Sequence, residues 1–547
     1  MQIGRRTIFT DVEKITNENV IDVLANAMSD FLANAADCER LLNIEAGYMP
    51  LDREKTVRPD INVQTVDNIA NEITEFKRSF HWGIPFTFIQ RGTHDSGKEE
   101  EVEAISELNE CYAAENLGKK QNALGRFVEI CGIGYTFIDI KPKWTEGDSY
   151  FQYEVLDPRY AFVVRSSRYA DHRIMLGVTF RADSKGTKYF TCFTDNRRYE
   201  VVCGVIVNGD ETKEEWTRTN RSGEVNPLGR QPIVEWERSP DRMGVFEREL
   251  PEIARCSLIL SDIGNDIDQE TQTIWHTNDV EFPKKLDENG NPTNEYETPK
   301  SNEWVSTFTA KDGRQPFIKP LTTNYNYEGL LKNYVTARTL ILQRCYTPQR
   351  NDDSGGSTGV AMSDATGWSA AEQIANAQQL IMESSKMDEV KAVLAAIKKN
   401  PKVPADSPLL KLRYMDVKPN ILRQKNYEMS VKSSSLANLL SHGIYGLHAL
   451  KAVNLFDDVM QVWADSKDLI EEYQEKTFGE KEDTQKTSDL PEYQIGNSPL
   501  IDGMSKETPI NATDDKNKGE KVPGNDKNSK ENVQNVQNDK KEKKDKS

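Results

Sequence analysis

Between Phe246 and Gly367 the sequence carries two helical patterns whose apolar stripes are too thin to build a core alone. That shortage constrains the rest of the chain. From Pro251 to Trp275, apolar residues recur at Ile253, Cys256, Leu260, Ile263, Ile267 and Ile274, in steps that keep them on one helical face. Pro251 suits a first turn, where its missing N–H costs nothing, and Glu252 complements the positive end of the helix. The pattern makes a rod roughly 35–40 Å long. Asp262, Asp266, Asp268 and Glu270 take up much of its remaining surface. A rod of this kind needs neighbours along its length.

The second pattern, Tyr327 to Cys345, repeats the arrangement with Leu330, Leu331, Tyr334, Ala337, Ile341 and Cys345, and its other side carries Lys332, Arg338 and Arg344. Between the rods, Pro283, Gly290, Pro292, Pro299, Gly313 and Pro316 interrupt short β-prone runs such as Trp304 to Thr309. After the second rod, Asp352, Asp353, Gly355, Gly356 and Gly359 predict a mobile polar loop over Thr347 to Gly367. A further helix is expected from Ser369 to about Asn400, with Ile374, Ala377, Ile381, Val390, Leu394 and Ile397 on its apolar side.

A length of 547 residues allows two to four domains, and a hydrophobic content of 37% leaves no run near the eighteen or so apolar residues of a membrane helix. The opening MQIGRRTIFTDVEK has no apolar core of a signal peptide, so secretion by that route is not expected. Seven cysteines with no CxxC pair predict reduced, buried thiols. A net charge of −18 argues against adhesive binding to nucleic acid, which draws its affinity from clustered Lys and Arg.

In chain order, residues 11 to 42 read as one or two polar helices with Val20, Val23, Leu24, Met28 and Leu32 as a weak seam. Asn68 to Gly92 gives a helix carrying Ile69, Ile73, Phe76 and Phe80, broken at Gly83 and Pro85, then a strand over Phe86–Phe88. Helices follow from Glu100 to Ala114 and from Leu117, the latter leading through Gly132 and Gly134 into a strand from Tyr135 to Ile140. Alternating segments at Tyr153–Val155, Ala161–Val164, Met175–Arg181, Tyr189–Phe193, Glu200–Val207 and Ile233–Trp236 predict an antiparallel α+β domain. Asn208-Gly209 is its best hairpin signal. Pro419 is expected to stop a strand. Leu436, Leu439, Leu440, Ile444, Leu447, Leu450, Val453 and Leu455 then suit packed helices, which Phe456, Val459, Val462, Trp463, Leu469 and Ile470 continue. From about Phe478 the composition is too polar to offset chain entropy, and the tail is expected to be disordered.

Several residues, in this order, resemble the SPP1-type (Gp6-like) phage portal proteins over roughly residues 60 to 475. They are the helix running into Trp82-Gly83-Ile84-Pro85-Phe86, the strand of Ile130 to Ile140, and the turn Leu156-Asp157-Pro158. Pro227-Leu228-Gly229-Arg230-Gln231-Pro232-Ile233-Val234 and the run Ser261-Asp262-Ile263-Gly264-Asn265 complete the set. The resemblance implies a portal-type α+β fold, in a ring usually of twelve copies at one capsid vertex of the virion, made in the host cytoplasm. It implies a mixed α/β wing over 1–245, stem helices over 246–275 and 327–346, and a small β-containing clip over 276–326. A tunnel loop over 347–367 and a long wing helix with a returning strand near Leu410–Val417 (368–419) would follow, then a helical crown (420–477) and the polar tail (478–547).

On the same resemblance, double-stranded DNA would pass through the ring, driven by the terminase large subunit. Head-tail connector or adaptor proteins, the major capsid protein and scaffolding protein would be further partners, and no membrane. Gln349, Arg350, Asn351, Asp352, Asp353, Ser354, Ser357 and Thr358 would touch DNA, and Asp262, Asp266, Asp268, Glu270, Lys332 and Arg338 would line the channel. The acidic balance is compatible with that. Two unit charges ~10 Å apart in water repel by about 0.4 kcal/mol before salt weakens it, so an acidic wall lets a duplex slide.

Each of these sites has a plainer reading. Ser354-Gly355-Gly356-Ser357-Thr358-Gly359 lacks the Gly-Lys-Ser/Thr ending of a phosphate-binding loop, and it reads either as a DNA-touching or as a solvated loop. On spacing alone the acids of the first rod are as much a solvated helix face as a channel wall or metal ligands. Arg338 and Arg344 would pair with those acids on a neighbouring copy or face water. His442 and His448, six apart, fall on different helical faces, so no metal or other cofactor is expected. No catalytic constellation can be assembled from motif spacing. The alternatives to a portal are another oligomeric virion scaffold or adaptor, or an unrecognised hydrolase.

Overall fold

A computed structural model describes residues 4–56, 59–91, 99–184, 186–208, 211–220, 223–271, 275–278, 284–296, 317–320, 327–349, 367–423, 429–453, 455 and 459–478. The chain divides into two compact units, Met1–Tyr427 and Glu428–Ser547.

The first unit holds a seven-stranded sheet. Its strands are β1 (Ile8–Thr10), β5 (Ala161–Ser166), β6 (Ile174–Ala182), β7 (Lys188–Phe193), β8 (Arg197–Asn208), β9 (Glu211–Arg218) and β10 (Glu224–Val225). The order is β1-β5-β6-β7-β8-β10, with β9 on β8, and only β1 runs parallel to its neighbour. Asn208 faces Glu211 across a two-residue connection, the hairpin that Asn208-Gly209 predicts. Helix α1 (Val20–Glu45) covers one face with Val20, Val23, Leu24, Ala27, Met28 and Phe31, the last stacking on Phe162 at 4.3 Å. Leu32, expected in that seam, is 46% exposed, because one residue past Phe31 lies a further 100° or so around the helix.

A second sheet orders β11 (Ile233–Glu237), β3 (Ile133–Ile140) and β4 (Phe151–Leu156). Around it pack α2 (Ile69–Trp82), α3 (Glu99–Ala114), α4 (Leu117–Cys131) and the 32-residue α7 (Trp368–Lys399). Only the C-terminal half of α7 is buried as its pattern predicts: Val390, Leu394 and Ile397 are in the core, whereas Ala377 faces solvent. The returning strand lies later than expected. Pro408–Leu410 and Tyr414–Asp416 are short helical turns, and β16 (Val417–Asn420) then pairs with β2 (Thr87–Gln90). Pro419 does not stop β16 but sits inside it opposite Phe88, which a two-stranded ribbon permits because each strand has an open edge.

Two long helices leave this core, α5 (Leu250–Thr271) and α6 (Tyr327–Arg344). The first ends earlier than the predicted rod, and Trp275 opens β12 (Trp275–Asn278). β12 pairs with β15 (Phe317–Pro320), and β13 (Lys284–Leu286) pairs with β14 (Pro292–Tyr296). Ile274 and the run Trp304 to Thr309 lie outside the described residues.

In the second unit, α8 (Met429–Ser441), α9 (Gly446–Val453) and α10 (Val459–Phe478) pack together around Leu450 and Trp463. A Cβ at Gly446 would come within 2.5 Å of the Trp463 ring, so the close approach of α9 to α10 requires glycine there. Ile444 and Leu469, expected to be packed, are 43% and 69% exposed, and Phe456 and the tail from 479 lie outside the described residues. All seven cysteines are buried and unbridged. Among the described residues, no helix is long and apolar enough to cross a membrane.

Candidate functional site: paired helices and their anchors

Helices α5 and α6 pack side by side and share one end of a core. Ile253 and Cys256 meet Ala337, Ile341, Leu342 and Cys345 there, together with Cys38 and Leu41 of α1 and Ile69 and Ile73 of α2. Away from that end the stripe loses its cover. Leu260 and Ile263 are half-buried, and Ile267, Leu331 and Val335 are 51%, 53% and 52% exposed.

An extended segment, residues 61–67, lies along α5 and is held by a ladder of side chains. Asn265 Oδ1 accepts from the Val63 N–H (2.8 Å), and its Nδ2 donates to the Val63 carbonyl (3.2 Å). Ser261 Oγ accepts from the Thr65 N–H (2.9 Å), and Ser257 Oγ accepts from the Asp67 N–H (3.1 Å). Four helical residues advance about 6.0 Å and two extended residues about 6.6 Å, so one stripe of α5 can serve alternate residues of a strand. Gly264 completes the fit, since its Cβ would come within 3.0 Å of Val63.

This strap then reaches α6. Asp67 accepts from Tyr334 Oη (2.7 Å) and from Arg338 Nη1 (3.0 and 2.9 Å), and Arg338 also pairs with Glu72 of α2. Burial and the Asp67 hydrogen bond push the Tyr334 hydroxyl up to about 12. Arg338 therefore pairs inside its own chain with strap and α2 carboxylates. Asp262 likewise pairs with Arg53 upstream of the strap, and Arg344 with Glu249 at 3.1 Å. Lys332 is exposed, Asp266 and Asp268 are half-buried, and the Glu270 side chain lies outside the described residues.

Gln349 is the one expected DNA-contacting residue that is described. Its Nε2 donates to the Thr339 carbonyl (3.0 Å), folding it back onto α6. Arg350, Asn351, Asp352, Asp353, Ser354, Ser357 and Thr358 lie outside the described residues.

The chain leaves α6 through a tight turn. Tyr346 takes a left-handed φ of 52° and donates to the Gln343 carbonyl (3.0 Å), while Thr347 N–H reaches back to Leu342 (2.9 Å). Below it lies a buried ionic centre. Glu129 of α4 meets His81 Nδ1 at 2.9 Å and accepts from Trp82 Nε1 (3.2 Å) and Arg238 Nε (3.0 Å). Burial alone would raise the Glu129 carboxyl, but the His81 hydrogen bond and the Arg238 and Lys77 charges outweigh it and hold the group at about 2.

The residues that sequence reasoning missed are the strap and its receivers: Arg53, Asp67, Glu72, Ser257, Ser261 and Asn265. The last two lie in the run Ser261–Asn265 already singled out, and polar residues spaced by four on an otherwise apolar stripe were the available signal. Among the described residues no group of three His, Cys, Asp or Glu is placed to hold a metal ion. No curated protein matches the chain. A family model described as phage portal protein, SPP1 Gp6-like, matches residues 48–426.

Proposed function

The chain belongs to the SPP1 Gp6-like phage portal protein family, and from that premise we propose that α5 and α6 are the stem of a ring, probed best at their uncovered apolar stripe. Membership makes the protein a virion component of the capsid vertex with a structural part in genome packaging. The finer reading is that copies of the chain, twelve by the habit of the family, close around double-stranded DNA. The observation that carries it is the exposure of Leu331, Val335 and Ile267 on paired helices whose other end is firmly buried. Those side chains would find their cover on the neighbouring copy, as helices with a half-filled stripe require.

In this reading the terminase large subunit docks on residues 276–326 and supplies the energy for packaging. The segment 347–367 contacts the duplex and resists its backsliding. Asp266, Asp268, Glu270 and Lys332 face the bore, while Asp262 and Arg338 brace the stem from within one chain. The wing, 1–245, and the crown, 420–477, meet capsid, scaffolding and adaptor proteins. The test is a Leu331→Glu, Val335→Glu double variant measured by light scattering. Four-fifths or more of it is expected as folded protein below ring mass, because a charge would have to be buried at each contact. Full-size rings from this variant would refute the stem reading.

A further inference from the structure

One helix, α2, touches the chain on both sides of the segment 350–366. On the side where the chain leaves α6, Lys77 Nζ donates to the Tyr346 carbonyl (3.1 Å), at the negative end of the helix and on the residue with left-handed backbone. On the side where it returns, Trp368 opens α7 against two rings of α2, edge-on to Phe76 (centroids 5.6 Å) and Phe80 (5.8 Å). Those two rings stack on each other at 5.6 Å. The two anchors are joined, because the Lys77 ammonium lies 5.5 Å over the Phe76 ring. We propose that Lys77, Phe76 and Phe80 are positioning residues that hold Tyr346 and Trp368, the two ends between which the DNA-contacting segment runs. The proposal rests on the reading of 347–367 as that segment.

Lys77 is 1% exposed, and Tyr346 is its one hydrogen-bond acceptor among the described residues. Burial pulls its ammonium down from 10.5 to about 8, with Glu129 opposing and Arg238 adding to the shift. Two further buried atoms at the joint, His81 Nε2 and Thr347 Oγ1, have no hydrogen-bond partner among the described residues. The groups facing Lys77 are Glu129 of α4, Arg238 after β11, Cys345 at the end of α6 and His81 of α2 itself. Glu129 stays ionised, burial pushes the Cys345 thiol up to about 12, and burial lowers His81 below its ordinary range. Lys77 is thus the group among them that titrates between pH 7 and 10. The sign follows from linkage. The closed joint binds the Lys77 proton less tightly than the open one, so raising the pH favours the closed state.

Cys345 is buried in this same turn and reports its opening. The experiment labels full-length wild type and Lys77→Met with iodoacetamide, reads Cys345 by peptide mass, and corrects for the thiolate fraction of an unfolded peptide. The corrected rate in wild type is expected to fall about tenfold from pH 7 to pH 9, and to be flat in Lys77→Met. A flat wild-type profile overturns the proposal without need of any variant, and so does an unchanged profile in Lys77→Met. The DNA reading is tested separately in packaged particles. There Lys77→Met and Trp368→Leu are each expected to retain several-fold less DNA with rings intact. Labelling as expected with retention unchanged would leave the anchors in place and overturn the DNA role of the segment.

Discussion

At the residue scale the molecule depends on a few polar side chains buried where they are fully used. Glu129 is the clearest case. Its folded value near 2 lies below the ordinary 4.5, so its contribution is present above about pH 4.5 and is lost as the pH falls towards 2. Glu129→Gln should lose on the order of 3 kcal/mol at neutral pH, and denaturant melts should show a shallower loss of stability for it than for wild type between pH 4.5 and 2. Identical acid profiles would mean that the buried centre is neutral in net effect. The ladder on α5 gives a smaller effect. Ser261→Ala removes the acceptor of the Thr65 N–H and should cost about 1 kcal/mol in the same melts. None of this centre was legible in the sequence. His81, Glu129 and Arg238 are far apart along the chain, and no local period marks residues that meet only through tertiary folding.

At the element scale the local signals were strong. The segments predicted over Ala161–Val164, Met175–Arg181, Tyr189–Phe193 and Glu200–Val207 all fall within strands of the large sheet, and the structure forms the hairpin that Asn208-Gly209 marked. Helix α2 carries both a three-and-four spacing and an N-cap in Asn68, whose side chain accepts from the Asn71 N–H. What misled was Pro419 read as a strand stop without its context, while the resemblance implied a strand near Leu410–Val417 where most of the stretch forms short turns. Segments with little pattern of their own went unpredicted, including β9, whose run Glu211 to Arg218 is largely charged, and the three-residue β1. The strap shares this trait, since its structure comes from α5 rather than from its own composition. Deleting Asp352 to Gly359 belongs to this scale. Because the anchors at Tyr346 and Trp368 lie outside the deletion, rings should form normally while DNA retention falls several-fold in a packaging assay. Retention at wild-type level would remove the segment from the mechanism.

At the scale of the whole molecule, one fact organises the rest. The paired helices are anchored at one end in a dense core and leave Ile267, Leu331 and Val335 exposed further along. The sequence made that imbalance visible, because a thin stripe beside Asp262, Asp266 and Asp268 cannot be filled from within one helix. It could not reveal which charges the chain satisfies for itself, and two of the residues assigned to a channel wall, Asp262 and Arg338, are engaged by Arg53, Asp67 and Glu72. The measurement that bears most directly on the account is an electron-microscopy average of the purified full-length protein viewed along its symmetry axis. A closed ring with a central hole wide enough for a duplex, lined by the α5 and α6 pairs of adjacent copies, is the expected result. A compact monomer, or an assembly with no axial opening, would contradict it.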